Sequence, residues 1–430
     1  MVRVLLFFVL SATTAAYARG QDLVVPARMT LEEALRLANE RNPNLAAARN
    51  TVEIAEAQRI DARLRPNPAV TFESASYPLF ESPRPSFGNN QELTFRFDQE
   101  IELAGRRGLR TQAAETGVSA AEAAFQDQKR RLDFEVRRGY FGVVLAKADL
   151  EVARAALDEI DKVISLNRAR YEQGEISGGE VRRIQVERLK FVDDQFAAEL
   201  ALRNARSALL ALFNAPNLGV EFDVVETLNV TDTTGAGAPV APQQALDATA
   251  LRTQALTLRP DLLAAQQEVQ RADTETRLQR ALRTPNITVG GGYRRDFGTN
   301  AVVFGVTVPL PLSSRNQGVV ARAEAERRQA ANLVTATATG VLLEVQQAVN
   351  AVDVSRARVE YIEREYLTPS RESRDIVLAA YRLGTADLID FLDAQRAFRD
   401  TLRTYNRALY DQRLGLFQLA AATGAASPVR

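Results

Sequence analysis

The chain has 430 residues, of which 46% are hydrophobic and 25% charged, so it is long enough for two or three domains and is not compositionally disordered. Lys plus Arg and Asp plus Glu both count 54, and no basic cluster carries interleaved aromatic residues, which argues against a nucleic-acid partner. The sequence has no His, Cys or Trp, so the usual general base, thiolate nucleophile and soft metal ligands are missing. We therefore expect no enzymatic activity, no cofactor and no resident metal.

The first residues have the pattern of a secretory signal peptide. One basic residue, Arg3, precedes an apolar run from Val4 to Leu10, and Ala16-Tyr17-Ala18 is a small-x-small cleavage site. The apolar run is shorter than the ~20 residues that a membrane-spanning helix needs. We expect residues 1–18 to be removed on export and the mature chain to begin near Arg19.

The rest of the chain contains two related halves. Asn42-Pro43-Asn44-Leu45 returns as Arg259-Pro260-Asp261-Leu262, and YEQG at 171–174 returns as YRLG at 381–384. Each half is therefore predicted to hold a short helix, two strands, a very long helix, a glycine turn and another long helix. The predicted boundaries are 19–220 for the first half, 221–242 for a flexible linker and 243–430 for the second half.

Two pairs of segments show the period-two alternation of strands that have one apolar and one polar face. The predicted pairs are 69–77 with 92–103 and 286–297 with 300–312. Each segment has about the 9–11 residues that cross an outer membrane at a tilt. In ELTFRFDQEIEL, which starts at residue 92, one face would carry Phe95, Phe97 and Ile101 and the other face Thr94, Arg96, Asp98 and Glu100. An alternative is a pair of hairpins that cap a helical domain.

Four strands cannot close a membrane barrel by themselves. Roughly eight strands are the practical minimum, and an open sheet edge in lipid leaves backbone groups unpaired. Subunits would therefore have to share one barrel, and the alternation alone leaves dimers, trimers and tetramers open.

The segments between the strands predict unusually long helices. No proline occurs from Gly105 to Glu172, and a helix of that length would measure roughly 100 Å at 1.5 Å per residue. Its apolar residues follow a seven-residue repeat typical of a coiled-coil seam, at Val136, Val143, Leu150, Leu157 and Ile164. In the second half, Pro369 is expected to bend the corresponding helix, because proline removes one internal hydrogen bond.

Several motifs together resemble the TolC-like outer-membrane efflux proteins over essentially the whole mature chain. They are TLEEALRLANERNPNL at 30–45, the doubled halves, and the two turns that begin YEQG and YRLG. IELAGRR at 101–107 is further similar to the heavy-metal branch of that family, whose members serve cobalt-zinc-cadmium pumps.

The resemblance implies a mainly α fold with β, in which three copies share a twelve-stranded β-barrel in the outer membrane and an α-helical barrel in the periplasm. The implied function is a passive exit duct, without chemistry of its own. The implied partners are two further copies of the chain, a periplasmic adaptor protein, outer-membrane lipid, and an inner-membrane pump such as the resistance-nodulation-division type.

The resemblance also implies where the duct closes. Asp390 and Asp393 match two aspartates that form a ring at the periplasmic tip of relatives. Tyr381 and Glu180 match a tyrosine and an acidic residue that pair across neighbouring helices to hold this tip shut. Ala386 stands where relatives carry a basic residue that assists the pair, so that part of the closure is missing here.

The two glycine turns are the expected docking site of the adaptor. Gly174 and Gly384 permit the sharp reversal, and Ile176, Leu383 and Thr385 are predicted to be exposed for contact. Two alternative functions remain open at this point: a periplasmic coiled-coil adaptor or scaffold, and an exit duct for type I protein secretion. The exported substrate is not specified by the sequence.

Overall fold

The computed structural model describes residues 25–76, 91–228 and 247–425. The predicted signal peptide at 1–18 lies outside these residues, as does most of the predicted linker at 221–242. In the described part of the chain, no helix combines the length and the apolarity that crossing a bilayer requires.

In the described residues, both halves contain two helices, then two strands and then long helices, and the first half also has two strands of two residues each. The first half contains β1 (Arg28–Met29), α1 (Leu31–Arg41), α2 (Pro43–Arg63), β2 (Ala69–Ala75), β3 (Glu92–Ile101), α3 (Arg106–Glu172), α4 (Gly178–Leu212) and β4 (Asp223–Val224). The second half contains α5 (Ala248–Leu258), α6 (Pro260–Ala281), β5 (Ile287–Asp296), β6 (Thr299–Thr307), α7 (Gln317–Ile362), α8 (Thr368–Arg382) and α9 (Leu388–Thr423). Two helices, rather than the one expected, precede each pair of strands.

The four longer strands form one antiparallel sheet in the order β2-β3-β5-β6. This confirms both predicted strand pairs and adds the pairing of β3 with β5, which joins the two halves of the chain. The last strand is shorter than predicted, because β6 ends at Thr307 and not at residue 312. Pro309 and Pro311 have no N–H to donate to a strand ladder, which explains the early end.

A very long helix is present where the sequence predicts one. α3 has 67 residues and is therefore ~100 Å long. The predicted seam is confirmed by burial of Val136, Val143, Leu150 and Ile164, each at most 6% exposed, and Leu157 is partly buried against the cluster that contains Ile164. The seam of α4 is buried as well, at Ile184, Phe191 and Ala198.

The second long helix is interrupted before Pro369. Residues Glu363–Leu367 form a π-helical segment between α7 and α8. Pro369 has no N–H for the carbonyl oxygen of Glu365, and its ring crowds the preceding turn, so the chain widens there. The expected disturbance at Pro369 is thus a π-helical turn, a feature that commonly accompanies a helix kink.

A small parallel pairing ties the end of the first half to its beginning. Met29 on β1 lies opposite Val224 on β4. Phe222, Val224 and Leu228 are all buried in the same core as α1 and the middle of α3. The first third of the predicted linker is therefore part of the packed structure, in contrast to the flexible joint that we expected from residue 221 onward.

Candidate functional site: the two-faced sheet and the helical tip

One face of the four-stranded sheet is apolar. In the register, Phe95 lies opposite Phe72 on one side and Tyr293 on the other, and Tyr293 lies opposite Val302. The large exposed side chains of this face are Val70, Phe72, Phe95, Phe97, Ile101, Val289, Tyr293, Val302, Phe304 and Val306. A contiguous apolar surface of this kind is typical of a face that contacts lipid or another protein.

The opposite face is polar and ionised. Thr94 lies between Glu73 on β2 and Arg294 on β5. Arg294 Nη2 lies 2.9 Å from Glu92 Oε2 and 3.4 Å from Asp296 Oδ2. Thr94, Arg96, Asp98 and Glu100 therefore share a face from which Phe95 and Phe97 are excluded, as the alternation predicts.

Among the described residues, each outer strand of the sheet has one edge without a partner strand. β2 and β6 are the terminal strands in the order β2-β3-β5-β6, and each carries exposed apolar side chains up to its edge. Backbone N–H and C=O groups at such an edge have no water to bind in lipid, so they require another strand. The apolar face and the open edges together indicate a sheet that is completed by further copies.

The two glycine turns have the same backbone geometry. Gly174 and Gly384 both adopt left-handed conformations, with φ of 76° and 77°. The N–H of Glu175 donates to the carbonyl oxygen of Arg170, and the N–H of Thr385 donates to that of Ala380, both at 2.9 Å. Each bond satisfies a carbonyl group left free by the helix end, so both helices reverse by the same device.

The side chains expected at the docking surface are not equally exposed. Leu383 is 80% exposed and Thr385 is exposed, as predicted, whereas Ile176 is half-buried. We call the residues of the two turns, 173–177 and 383–387, together with the last turns of α3 and α8, the helical tip.

Tyr381 is buried in the helical tip and bonds within its own chain. Its hydroxyl donates to Oδ1 of Asn167 at 2.6 Å, and its ring stacks on Phe391 with centroids 5.6 Å apart. Burial raises the pKa of Tyr381, and the nearby charge of Glu180 acts in the same direction. Glu180 itself is exposed. The hydrogen bond expected between Tyr381 and Glu180 is not formed within the chain, because the single O–H proton is used by Asn167.

Asp390 and Asp393 lie on the exposed side of α9, directly after the second turn. Asp390 also has a structural task, because Oδ2 accepts the N–H of Asp387 at 3.3 Å and so caps the helix. Asp393 Oδ1 lies 3.4 Å from Arg396 Nη1. The two aspartates are three positions apart on α9, so they share one helical face.

The sequence analysis missed the residues that join the two halves at the helical tip. Arg170, at the end of α3, donates from Nη1 to the carbonyl oxygen of Tyr381 at 3.2 Å and also donates to that of Arg382. These carbonyl groups lie at the negative end of α8, where a cation is stabilising. Arg382 in turn donates to Glu159 on α3 at 3.1 Å.

Asn167 could have been found from the heptad pattern. It lies three residues after Ile164, on the second seam position that Ala146, Ala153 and Ile160 also occupy, and it is fully buried. A polar residue in a coiled-coil seam needs a partner, which is a recognisable signal. No pattern in the sequence identifies Tyr381 as that partner.

The described residues contain no group of three or more acidic side chains arranged to hold a metal ion. The geometry is thus that of a wall: a sheet with one apolar and one ionised face, continued by helices of up to ~100 Å that end in the helical tip. This combination defines the class of protein as a subunit of a membrane duct.

The chain belongs to the outer membrane efflux protein family, which matches residues 34–215 and 251–425. The cobalt-zinc-cadmium resistance protein CzcC of Cupriavidus metallidurans is 27% identical over 370 residues, which are 86% of this chain and 83% of that protein. The outer membrane protein TolC of Vibrio cholerae is 24% identical over 73% of this chain and 72% of its own length. The crystal structure of CusC has the same fold, with a TM-score of 0.75, 19% identity and coverage of 92% of each chain.

Proposed function

We propose that this chain is the outer-membrane channel of a tripartite efflux system. It would act as a passive exit duct for substrates that an inner-membrane pump and a periplasmic adaptor protein deliver. The observation that carries the proposal is the four-stranded sheet with an apolar face, an ionised face and two open edges. Three copies would supply twelve strands, close every edge, and turn the apolar face to lipid and the ionised face to a water-filled lumen.

Exposed apolar stripes on the helices support the same assembly. Val186, Leu189, Phe196 and Leu200 on α4 are 59–69% exposed, follow heptad spacing and lie on the face opposite the buried seam. Val354, Tyr361 and Ile376 on α7 and α8 form a second exposed stripe. Such stripes are stable in water only when helices cover them, and helices of neighbouring copies would do so while building a periplasmic wall.

The proposed cargo is a heavy-metal cation. The relative CzcC is named for resistance to cobalt, zinc and cadmium. The charges of the polar face are unbalanced in the described strands, with carboxylates at Glu73, Glu92, Asp98, Glu100 and Asp296 and guanidinium groups at Arg96 and Arg294. An acidic lumen favours cations. The pump would then be of the resistance-nodulation-division type, with the adaptor docked at the helical tip.

A periplasmic coiled-coil adaptor or scaffold accounts less well for the structure. It would explain the heptad seams of α3 and α4, but it has no use for a sheet with an exposed apolar face. An exit duct for type I protein secretion would have the same wall, so it differs from the proposal only in cargo and partners.

Deletion of the gene and cell fractionation test this proposal. We expect the protein in outer-membrane fractions, from which detergent should extract it as a trimer. Cells without the protein should accumulate Co²⁺, Zn²⁺ or Cd²⁺. They should also stop growing at lower concentrations of these metals than unmodified cells. Complementation with Phe95→Arg, which should not assemble, is the matched control. A water-soluble periplasmic monomer would contradict the outer-membrane assignment. Unchanged metal tolerance with loss of a secreted protein would instead assign the duct to protein secretion.

A further inference from the structure

Glycine residues lie side by side on two neighbouring strands of the sheet. Gly290, Gly291 and Gly292 follow one another on β5, and Gly305 on β6 is the partner of Gly290. Glycine weakens a strand, and in a sheet interior it often marks a close approach by another group. On its other side, Gly290 lies opposite Asp98 of β3. Two successive strands therefore offer no side chain beside Asp98 on the polar face.

Arg96 and Asp98 fill the space that these glycines leave. Arg96 Nη2 lies 2.8 Å from Asp98 Oδ1, and the two side chains are 35% and 19% exposed. A Cβ atom on Gly290 would lie 1.9 Å from Asp98 Oδ1 and 2.9 Å from Arg96 Nε, and one on Gly305 would lie 3.0 Å from Arg96 Nη2. Arg96 therefore extends from β3 across β5 to β6, flat along the sheet, instead of standing away from it.

The need for glycine is confined to the polar face. Gly291 has its side-chain position on the apolar face, where a Cβ atom would lie 3.6 Å from Phe304, an ordinary contact. Gly292 is close to the backbone, since a Cβ atom there would lie 2.1 Å from the carbonyl oxygen of Phe95. Gly290 and Gly305 thus differ from their neighbours in approaching the ends of charged side chains.

We infer that Gly290 and Gly305 form a recess in the wall of the duct that holds the Arg96–Asp98 ion pair flat, and that this pair sets the width and ion preference of the lumen at its level. The inference rests on the proposed function, because it requires the polar face to line a lumen. A flat pair keeps the opening wide at each of three equivalent positions. Pairing also offsets the charge of Asp98, so the pair lowers the cation preference that this carboxylate alone would give the lumen at its level.

Single-channel recording of Gly290→Ala tests the inference, with Gly291→Ala as the control on the same strand. The added methyl group at position 290 must displace the ion pair toward the lumen, so conductance should fall by about half and the ratio of cation to anion permeability should change. The same methyl group at position 291 meets Phe304 and the carbonyl oxygen of Val303 at ordinary contact distances and should leave both quantities unchanged. Native electrophoresis verifies that each variant forms the same oligomer as the unmodified protein.

A double variant without the ion pair distinguishes displacement of the ion pair from damage to the strand. When Arg96→Ala and Asp98→Ala have removed both side chains, adding Gly290→Ala should no longer alter conductance, because nothing remains to be displaced. If Gly290→Ala does not assemble, Gly305→Ala replaces it, since its methyl group would meet Arg96 alone. If the unmodified protein conducts ions and Gly290→Ala and Gly305→Ala show the same conductance as it does, the inference is wrong. The proposed function would then still stand. Absence of conductance in the unmodified protein would overturn the proposed function itself.

Discussion

The hydroxyl group of Tyr381 donates a hydrogen bond to Oδ1 of Asn167 at 2.6 Å, and this bond joins the last turns of α8 and α3 within one chain. Both side chains are buried, and Nδ2 of Asn167 has no hydrogen-bond partner among the described residues. Arg170 reinforces the junction by donating to the carbonyl groups of Tyr381 and Arg382. The two halves of one protomer are thus locked together at the helical tip, so that opening requires either breaking this lock or moving whole protomers apart.

Tyr381→Phe should loosen the helical tip. The change removes one hydroxyl group and leaves the buried amide of Asn167 without its hydrogen bond, which costs about 1–3 kcal/mol per chain. Three protomers act together, so the equilibrium should shift toward the open tip and conductance in planar bilayers should rise. Tyr366→Phe, at a tyrosine that is 51% exposed, is the control and should have no effect. Equal conductance of the two variants would show that the lock does not limit flow.

Phe95→Arg and Thr94→Arg should differ in membrane assembly. Phe95 lies on the apolar face between Phe72 and Tyr293, and an arginine facing lipid at mid-depth costs roughly 2–4 kcal/mol. Thr94 lies on the polar face beside Glu73, which could pair with the new guanidinium group. The amount of folded protein in outer-membrane fractions measures the difference. Equal yields would contradict the assignment of the two faces.

Replacing Asp390 and Asp393 together by asparagine should reduce cation preference. Three copies of each aspartate would bring six carboxylates to one aperture, while asparagine keeps the shape and, at position 390, an oxygen that can cap the helix. Reversal potentials under a salt gradient measure the change. Asp400→Asn, at an exposed residue ten positions further along the same helix, serves as the control. An unchanged reversal potential in the double variant would place the selective site elsewhere.

Photo-crosslinkers at the helical tip should capture the adaptor. Leu383 is 80% exposed on the second turn and offers an apolar contact to a docked partner. Leu64, which is 58% exposed beside the strands, should capture no periplasmic protein and provides the comparison. A crosslink pattern with capture at Leu64 and none at Leu383 or Ile176 would rule out docking at the turns.

Glu226 should make the stability of the protein fall as the pH rises. A carboxylate in a typical ion pair has the opposite effect, because its lowered pKa makes stability rise with pH. Its carboxylate accepts the N–H of Leu31 at 3.0 Å and contacts the hydroxyl group of Tyr140, and burial raises the pKa of Glu226. A carboxyl group whose pKa is higher in the folded state contributes stability below its unfolded pKa of ~4.3 and loses it as the pH rises through the folded value.

Glu226→Gln should therefore weaken the fall of the thermal midpoint as the pH rises from below that unfolded pKa to neutrality. Circular dichroism of the detergent-solubilised protein at a series of pH values measures this fall. Glu221→Gln, at an exposed position nearby, should retain the pH dependence of the unmodified protein. If Glu226→Gln and the unmodified protein show the same slope, ionisation of Glu226 does not limit stability.

Periodicity explains what the sequence could predict. The seam from Val136 to Ile164 and the two faces around Phe95 are repeated patterns, and repetition constrains which side of a helix or strand is buried. The partner of Tyr381 could not be predicted in this way, because it depends on the register between α3 and α8, which lie more than 200 residues apart. The pairing of β1 with β4 was missed for a related reason, since two-residue strands have no period to recognise.

Local chemistry explains two further differences between the sequence predictions and the structure. The end of β6 at Thr307 follows from Pro309 and Pro311, which the apolar alternation of that segment conceals. The glycines on β5 were visible in the sequence, but their reason appears only when Asp98 is placed opposite Gly290 in the sheet. The roles of Asp390, Asp393 and Glu180 in a gate stay predictions, because they concern contacts between copies of the chain.

Single-channel recording of the purified, detergent-extracted protein in planar bilayers tests the central claim most directly. If three copies close the sheet into a barrel and extend it with a helical wall, the protein should insert as discrete, stable conductance steps with a preference for cations. A bilayer that stays silent with this protein, while a porin added under the same conditions inserts normally, would contradict the assignment of the chain as an outer-membrane duct.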